Sequence, residues 1–200
     1  MKYFLIVCLI VSGFMGMAQR FSSEVFHDGF MVTSNKDTLK GSLKYDLDAN
    51  AITLVVAGKT RSFSSQKVFY FEIFDKILNN YRQFYSIPFN VNFDYKIPVF
   101  FEVVYEGKLS LLRREQIVVQ TVNTSSAYWG GGNVRRNIIQ YTYYFLDDKG
   151  KITFFSGKKK DLFQFMSRKQ NEVKQFIKQN KLNTDESADL VRITAFYNSI

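Results

Sequence analysis

The sequence predicts a mainly β, α+β fold: an antiparallel meander of about ten strands, barrel-like or two-layered, followed by a C-terminal helical hairpin. Three observations carry this prediction. The chain of 200 residues holds 21 Phe, 12 Tyr and only 2 Pro, a composition that favours half-buried strands. Short apolar runs alternate with turn residues as far as Gly157, and helical spacing follows. A hydrophobic share of 46% excludes a disordered chain.

The N-terminal segment has the three parts of a secretory signal peptide. Lys2 supplies positive charge, residues 3–14 form an apolar run, and Gly16 and Ala18 are the small residues of a cleavage site. Spanning a bilayer needs roughly 20 apolar residues, so we predict a signal peptide over residues 1–18, cleaved after Ala18, rather than an uncleaved anchor. The only cysteine, Cys8, lies in this segment, and the predicted mature chain therefore has no thiol.

Residues 19–156 are predicted to form an antiparallel β domain of consecutive hairpins. The run 68–74 is almost wholly aromatic or β-branched, which indicates a strand covered on both faces. Pro88 and Pro98 are predicted to bracket a loop. Gly41 lies on an apolar strand face, which indicates a bulge or a close backbone approach. The predicted strands are 29–33, 38–45, 51–56, 60–63, 68–74, 81–87, the two arms of 98–119, 135–146 and 151–156.

The stretch 98–119 is the clearest hairpin signal in the chain, and its turn is predicted at Gly107. Period-2 alternation places Phe101 and Tyr105 on one face of the first strand. We expect Leu111 to continue that face on the second strand.

Residues 157–200 are predicted to form the helical hairpin and to pack it on the β domain. The first helix should end near Lys181, and Thr184 or Asp185 should cap the second. The stretch 156–181 holds eight basic and two acidic residues, a net charge of +6 out of +8 (26 basic minus 18 acidic) for the mature chain. The apolar residues of the first helix at helical spacing are Leu162, Phe165, Met166, Val173, Phe176 and Ile177.

Residues suited to catalysis are scarce. His27 is the only histidine, and no nucleophile motif accompanies it. One histidine and no cysteine exclude a zinc site built on those ligands, so we predict no metal and no cofactor. Glu102 and Glu115 lie on the two arms of the central hairpin. We expect them to pair with Arg113 or Arg114 rather than to form the acid–base couple of a glycosidase.

Two stretches are candidate ligand- or surface-binding sites. In the Gly-rich stretch 121–133 an aromatic pair precedes two arginines, an arrangement that can stack on a sugar or lie at a membrane interface. The lysine run at the start of the basic helix can lie on an anionic surface. The alternatives are a mobile hairpin tip and a solvated charged face. The candidate residues are Tyr128, Trp129, Arg135, Arg136, Lys158, Lys159 and Lys160.

A scattered set of strand and turn residues carries a resemblance that covers most of the mature chain. The set comprises Gly29, Thr33, Asp37, Thr38 and Gly41; Tyr81, Arg82, Phe84 and Tyr85; Phe101, Glu102, Gly107, Leu109, Leu111 and Leu112; and Asp189, Leu190, Arg192, Ile193, Phe196, Tyr197 and Asn198. In these residues the chain resembles a group of small secreted proteins of Bacteroidota, a group that carries no assigned function. The resemblance implies a periplasmic or outer-membrane-associated location in a Gram-negative envelope. The triplet Asp37-Thr38-Leu39 resembles the acceptor motif for protein O-glycosylation in that phylum.

Together these features predict an exported, non-enzymatic envelope protein that binds an amphiphilic or acidic partner. The excess positive charge favours anionic lipid, lipopolysaccharide or glycan, and another envelope protein is the further candidate partner. Nucleic acid is not an expected partner of an exported protein. The alternative function is a carboxylate-dependent hydrolase that acts on envelope polymers, and the alternative role of the charge is solubility alone.

Overall fold

The computed structural model describes residues 20–92, 95–124 and 132–200. Its ten strands form one antiparallel sheet in the order β10-β9-β8-β7-β6-β5-β1-β2-β3-β4. The sheet is open rather than closed, and the predicted class, mainly β with a C-terminal helical pair, is confirmed. The strands are β1 (His27–Thr33), β2 (Thr38–Asp46), β3 (Ala51–Val56), β4 (Lys59–Ser64), β5 (Val68–Asp75), β6 (Asn80–Asn92), β7 (Tyr95–Tyr105), β8 (Ser110–Thr124), β9 (Gly132–Leu146) and β10 (Ile152–Phe155). The predicted signal peptide lies outside the described residues.

The helical part of the chain differs from the prediction in two details. One long helix was expected, whereas a short 3-10 turn at Ser167–Lys169 separates α1 (Lys159–Phe165) from α2 (Gln170–Gln179). The last helix, α3 (Ser187–Ser199), begins after Glu186. Neither Thr184 nor Asp185 caps it, because Glu186 occupies the N-cap position. The buried Thr184 instead donates its hydroxyl to the Gly157 carbonyl, 3.5 Å away. No helix in the described part of the chain is long and apolar enough to cross a membrane.

The predicted loop between the two prolines is wrong, because β6 and β7 continue through both of them. Pro88 and Pro98 lie directly opposite each other in the ladder. Proline has no N–H, so two opposed prolines fit only a pair whose nitrogens point away from each other. β5 pairs with β6 only over residues 80–85, and β8 reaches β7 only at residues 102–105. Neither proline therefore removes a hydrogen bond from a neighbouring strand.

A register shift in β7 overturns the predicted face of the central hairpin. Val103 pairs with Leu112, but Tyr105 pairs with Leu111, so one residue of β7 is extra. Such a bulge moves the side chains beyond it to the other face of the strand. Phe101 consequently packs with Leu112, whereas Tyr105 and Leu111 belong to the cluster beneath the helices. The predicted turn after Tyr105 is present.

The strand covered on both faces is β7 rather than β5. In β5 buried residues alternate with partly exposed ones, and Phe69 is 56% exposed. In β7 the four consecutive residues 99–102 are all buried. Phe100 packs into the core of the β1–β6 half, whereas Phe101 packs on the opposite face against residues of β6, β8 and β9. An aromatic run alone does not distinguish these cases, because large rings also suit a half-exposed face.

Two glycines bring adjacent strands unusually close. Gly29 and Gly41 are paired in the β1–β2 ladder. A Cβ on Gly29 would lie 2.1 Å from the Glu72 carbonyl oxygen of β5, and one on Gly41 would lie 2.4 Å from the Val55 carbonyl oxygen of β3. The close backbone approach predicted at Gly41 is thus confirmed.

The helices cover one face of β8, β9 and β10 and share a core with them. Leu111 and Phe145 contribute from the sheet, and the ring centroid of Phe145 lies 4.8 Å from that of Phe165 in α1. The Phe176 ring of α2 stacks on Phe196 of α3 at 4.0 Å. The buried residues of the helical side are Leu162, Met166, Val173, Ile177, Leu182, Leu190 and Ile193.

Candidate functional site

The first candidate site is the outer surface of α1 and α2. Their apolar side chains face the sheet, so the lysines and the arginine of the stretch 156–181 face outward. Seven of its eight basic residues are exposed and Lys169 is half-buried. None of the eight forms an ion pair with another described residue. We call this set the basic helical surface; it comprises Lys158, Lys159, Lys160, Arg168, Lys169, Lys174, Lys178 and Lys181.

One aromatic ring lies within the basic helical surface. Phe163 of α1 is half-buried, and the Lys174 ammonium of α2 lies 5.1 Å from its ring centroid. Around this ring is an open depression of about 600 Å³, with Lys160 on the α1 side. Gln164, Ser167 and Gln170 complete its lining. An accessible apolar ring between two cationic groups suits a ligand that has both an acidic and an apolar part.

The second predicted site is only partly described. Tyr128 and Trp129 lie outside the described residues. Arg135 and Arg136 are exposed on β9, and Arg136 donates two hydrogen bonds, of 2.9 and 3.1 Å, to the side-chain oxygen of Gln120 on β8. Arg136 lies seven positions, roughly 23 Å of strand, from Tyr143, where β10 begins to pair with β9. The structure therefore does not gather these arginines and the lysine run into one site.

A third constellation, which the sequence analysis missed, is a buried ionic cluster around Arg82 of β6. The guanidinium group uses all five of its N–H donors. It donates to Glu102 Oε1 at 3.0 Å and Oε2 at 2.7 Å, and to Glu115 Oε2 at 2.8 Å. It also donates to Asp75 Oδ2 at 2.9 Å and to the Tyr45 hydroxyl at 2.7 Å. These contacts tie β2, β5, β7 and β8 to β6.

Two carboxylates of this cluster, Glu102 and Asp75, are held in their ionised form. Burial opposes ionisation of Glu102, but hydrogen bonds from Arg82 and Arg113 outweigh it and lower the pKa of the carboxyl. Burial opposes ionisation of Asp75 too, and there backbone N–H groups and Arg82 lower the pKa. Burial and the neighbouring Glu115 raise the pKa of Tyr45, whose hydroxyl donates to Glu115 at 2.5 Å. An ionised, hydrogen-bonded carboxylate is not a general acid.

The predicted pairing of the two hairpin glutamates is right for one of them. Arg113 donates to both oxygens of Glu102, at 2.9 and 2.7 Å. Glu115 instead accepts hydrogen bonds from Arg82 and Tyr45. Arg114 contacts neither glutamate, because it donates to main-chain carbonyls where β7 and β8 separate.

His27 is buried, and both of its ring nitrogens are occupied. Nδ1 accepts a hydrogen bond of 3.0 Å from the backbone N–H of Lys76. Nε2 therefore carries the proton and donates to the Ser22 carbonyl at 2.7 Å. Both ring nitrogens are thus engaged within the fold, and neither is free to act as a base.

A sequence signal for the buried cluster exists in the alternation of β5 and β6. Arg82 occupies the same face as Phe84, and Asp75 the same face as Phe71 and Ile73. A charged residue in phase with buried apolar ones indicates a paired buried charge.

Among the described residues, no group of three or more histidine, cysteine or acidic side chains is placed to hold a metal ion.

Comparison of the chain with protein-family models, with curated proteins and with solved structures finds no match.

Proposed function

We propose that this chain is an exported, non-enzymatic envelope protein that binds an anionic amphiphile through the basic helical surface. The observation that carries the proposal is the depression around Phe163, where a half-buried ring lies between Lys160 and Lys174. An anionic headgroup would meet the two ammonium groups, and its apolar part would meet the ring.

The electrostatics of the molecule support this choice of partner. The stretch 156–181, which contains the basic helical surface, carries a net charge of +6 from eight basic and two acidic residues. Since none of its cations is paired within the described residues, an anionic ligand displaces no internal ion pair. A lysine near an anionic membrane contributes about 1 kcal/mol. Two lysines thus correspond to about a 30-fold change in the partition constant.

Lipid binding is tested by co-sedimentation of the mature protein with vesicles of phosphatidylcholine alone or mixed with phosphatidylglycerol. We expect binding only to the anionic vesicles. The Debye length falls from about 10 Å at 0.1 M to about 3 Å at 1 M salt, so high salt should weaken this binding strongly. Equal binding to neutral vesicles, or no binding to either kind, would contradict the proposal.

Matched variants locate the binding surface. K160Q/K174Q removes the two cations beside Phe163 and should lower anionic binding by about 30-fold. K40Q/K59Q makes the same change of charge at two exposed positions of the sheet and should have little effect. Phe163→Ala leaves the charge intact and tests the apolar contact. If both double variants lose the same affinity, net charge rather than this surface governs binding.

A further inference from the structure

β8 and β9 form a two-stranded ribbon that extends past the rest of the sheet. The two strands pair with each other over all fifteen residues of each. β7 pairs with β8 only at residues 111–113, and β10 pairs with β9 only at residues 143–146. Beyond these points the outer edge of β8, residues 116–124, has no strand partner among the described residues. A two-stranded ribbon is only marginally stable by itself in water.

The contacts of Arg114 explain why β7 stops pairing with β8. Next to the last β7–β8 pair, the Arg114 side chain donates to the Phe100 carbonyl of β7 at 2.9 Å, and to Asn50 at 3.2 Å and the Leu47 carbonyl. The β2–β3 turn thus enters where β7 and β8 separate. The β7–β8 ladder ends there, and no described strand pairs with the β8 edge beyond it.

The two edges of the ribbon differ in charge. The β9 edge carries Arg135 and Arg136, and exposed charges of this kind protect strand edges from pairing. The β8 edge 116–124 has no charged residue, no proline and no glycine. Most of its residues are β-branched, and Val119 is 65% exposed. An open edge with this composition is the kind that accepts another strand.

We infer that two copies of this chain pair antiparallel through their β8 edges, about a two-fold axis at Gln120. This register overlaps all nine residues of 116–124 and places Gln120 of one copy opposite Gln120 of the other. Val118 of one copy then faces Val122 of the other, and Val119 faces Thr121. Because residues 116–124 are uncharged, self-pairing puts no like charges directly opposite each other in the new strand pair, and the nearest charges to the axis are the Arg136 side chains that reach Gln120 from β9. An acidic or basic partner strand would find no countercharge among residues 116–124 themselves.

The length of the edge sets the expected strength of the dimer. Nine residues span roughly 30 Å, and the pairing joins two ribbons into a four-stranded unit. A single strand edge is smaller than a standard stable interface of about 800 Å² per partner. We therefore expect a dimer that forms and dissociates with concentration rather than an obligate one.

Sedimentation equilibrium of the mature protein over a range of concentrations tests the oligomeric state. Val119→Lys places two like charges close to the axis and should weaken the dimer by about tenfold or more. Val134→Lys makes the same substitution at a 51% exposed position of β9 and should leave the dimer unchanged. Circular dichroism checks that both variants keep the fold. A wild-type monomer at every concentration, or an equal effect of the two variants, would overturn the inference.

A cross-link tests the register independently. The mature chain has no cysteine, so a single introduced cysteine can form a disulfide only with the same cysteine of a second copy. Opposed Cβ atoms of paired strands lie about 4.5–5.5 Å apart, close enough for a disulfide after slight adjustment. Under mild oxidation Gln120→Cys should give a covalent dimer, and Asn137→Cys on the β9 edge should not. Cross-linking at Asn137 alone would place the contact on the other edge.

Discussion

Replacing Arg82 with methionine removes the centre of the buried ionic cluster while keeping a side chain of similar length. Arg82 is 2% exposed and donates five hydrogen bonds. Removal of one partner of a buried ion pair costs roughly 3–5 kcal/mol, because the other charge stays buried without compensation. Glu102 keeps Arg113, so the cost falls mainly on Asp75 and Glu115. A loss of 3–5 kcal/mol lowers Tm by roughly 6–20 °C for a chain of this size.

The dependence of this loss on pH distinguishes charge from packing. The pKa values of Asp75 and Glu102 are lowered in the folded protein. Their contribution to stability is therefore present above the unfolded-state pKa of about 4 and is lost as the pH falls through the folded-state values. In Arg82→Met the carboxylates lose their cation, so the deficit should be largest near pH 7. It should shrink at acid pH, where protonation removes the uncompensated charge.

Urea unfolding followed by far-UV circular dichroism, at neutral and at acid pH, measures both effects. Arg192→Met is the matched control, because Arg192 is 54% exposed in its pair with Asp189. Surface pairs of this kind contribute about 0–1 kcal/mol. A cost below about 1 kcal/mol for Arg82→Met at pH 7 would show that Arg82 does not hold the cluster together. A deficit that is equal at both pH values would assign the loss to packing instead.

Two further substitutions test contacts that hold the sheet and the helices. Gly29→Ala puts a Cβ 2.1 Å from the Glu72 carbonyl oxygen and should lower the free energy of unfolding in urea by about 3 kcal/mol. Gly132→Ala, where a Cβ meets nothing within 4 Å, should be nearly neutral. Equal urea midpoints for the two variants would contradict the close approach at Gly29. The Asn198 side chain of α3 accepts from the Leu109 N–H at 3.0 Å and donates to its carbonyl at 2.9 Å. Asn198→Ala should cost about 1–3 kcal/mol and speed amide exchange at Leu109, and the exposed Asn171→Ala should change neither.

Local pattern was sufficient for the elements whose neighbours in sequence are also their neighbours in space. β3 has the predicted bounds, and the turn after β7 lies where the glycine indicated it. Period and turn chemistry fix such hairpins because each strand pairs with the next one along the chain. The same logic failed at Pro88 and Pro98, since whether a proline is tolerated depends on which strand lies beside it.

Of the candidate sites, the basic helical surface could be predicted because amphipathic spacing alone separates its lysines from its apolar residues. The buried cluster could not, because Tyr45, Asp75, Arg82, Glu102 and Glu115 come from five different strands. Alternation with apolar neighbours indicates burial of Arg82 and Asp75, but not which charges they would meet. The curvature of the sheet brings together partners that lie up to 70 positions apart in the sequence, as Tyr45 and Glu115 do.

The sequence by itself determined the strand-then-helix order, the antiparallel hairpins and the concentration of positive charge near the C-terminus. These properties follow from side-chain period, turn residues and composition, which act over a few residues. Only the tertiary structure decided that β7 carries a bulge, that β8 leaves its neighbour at Arg114, and that five strands meet around Arg82. The separation at Arg114 and the cluster around Arg82 depend on contacts between residues up to 70 positions apart, which short-range pattern does not specify.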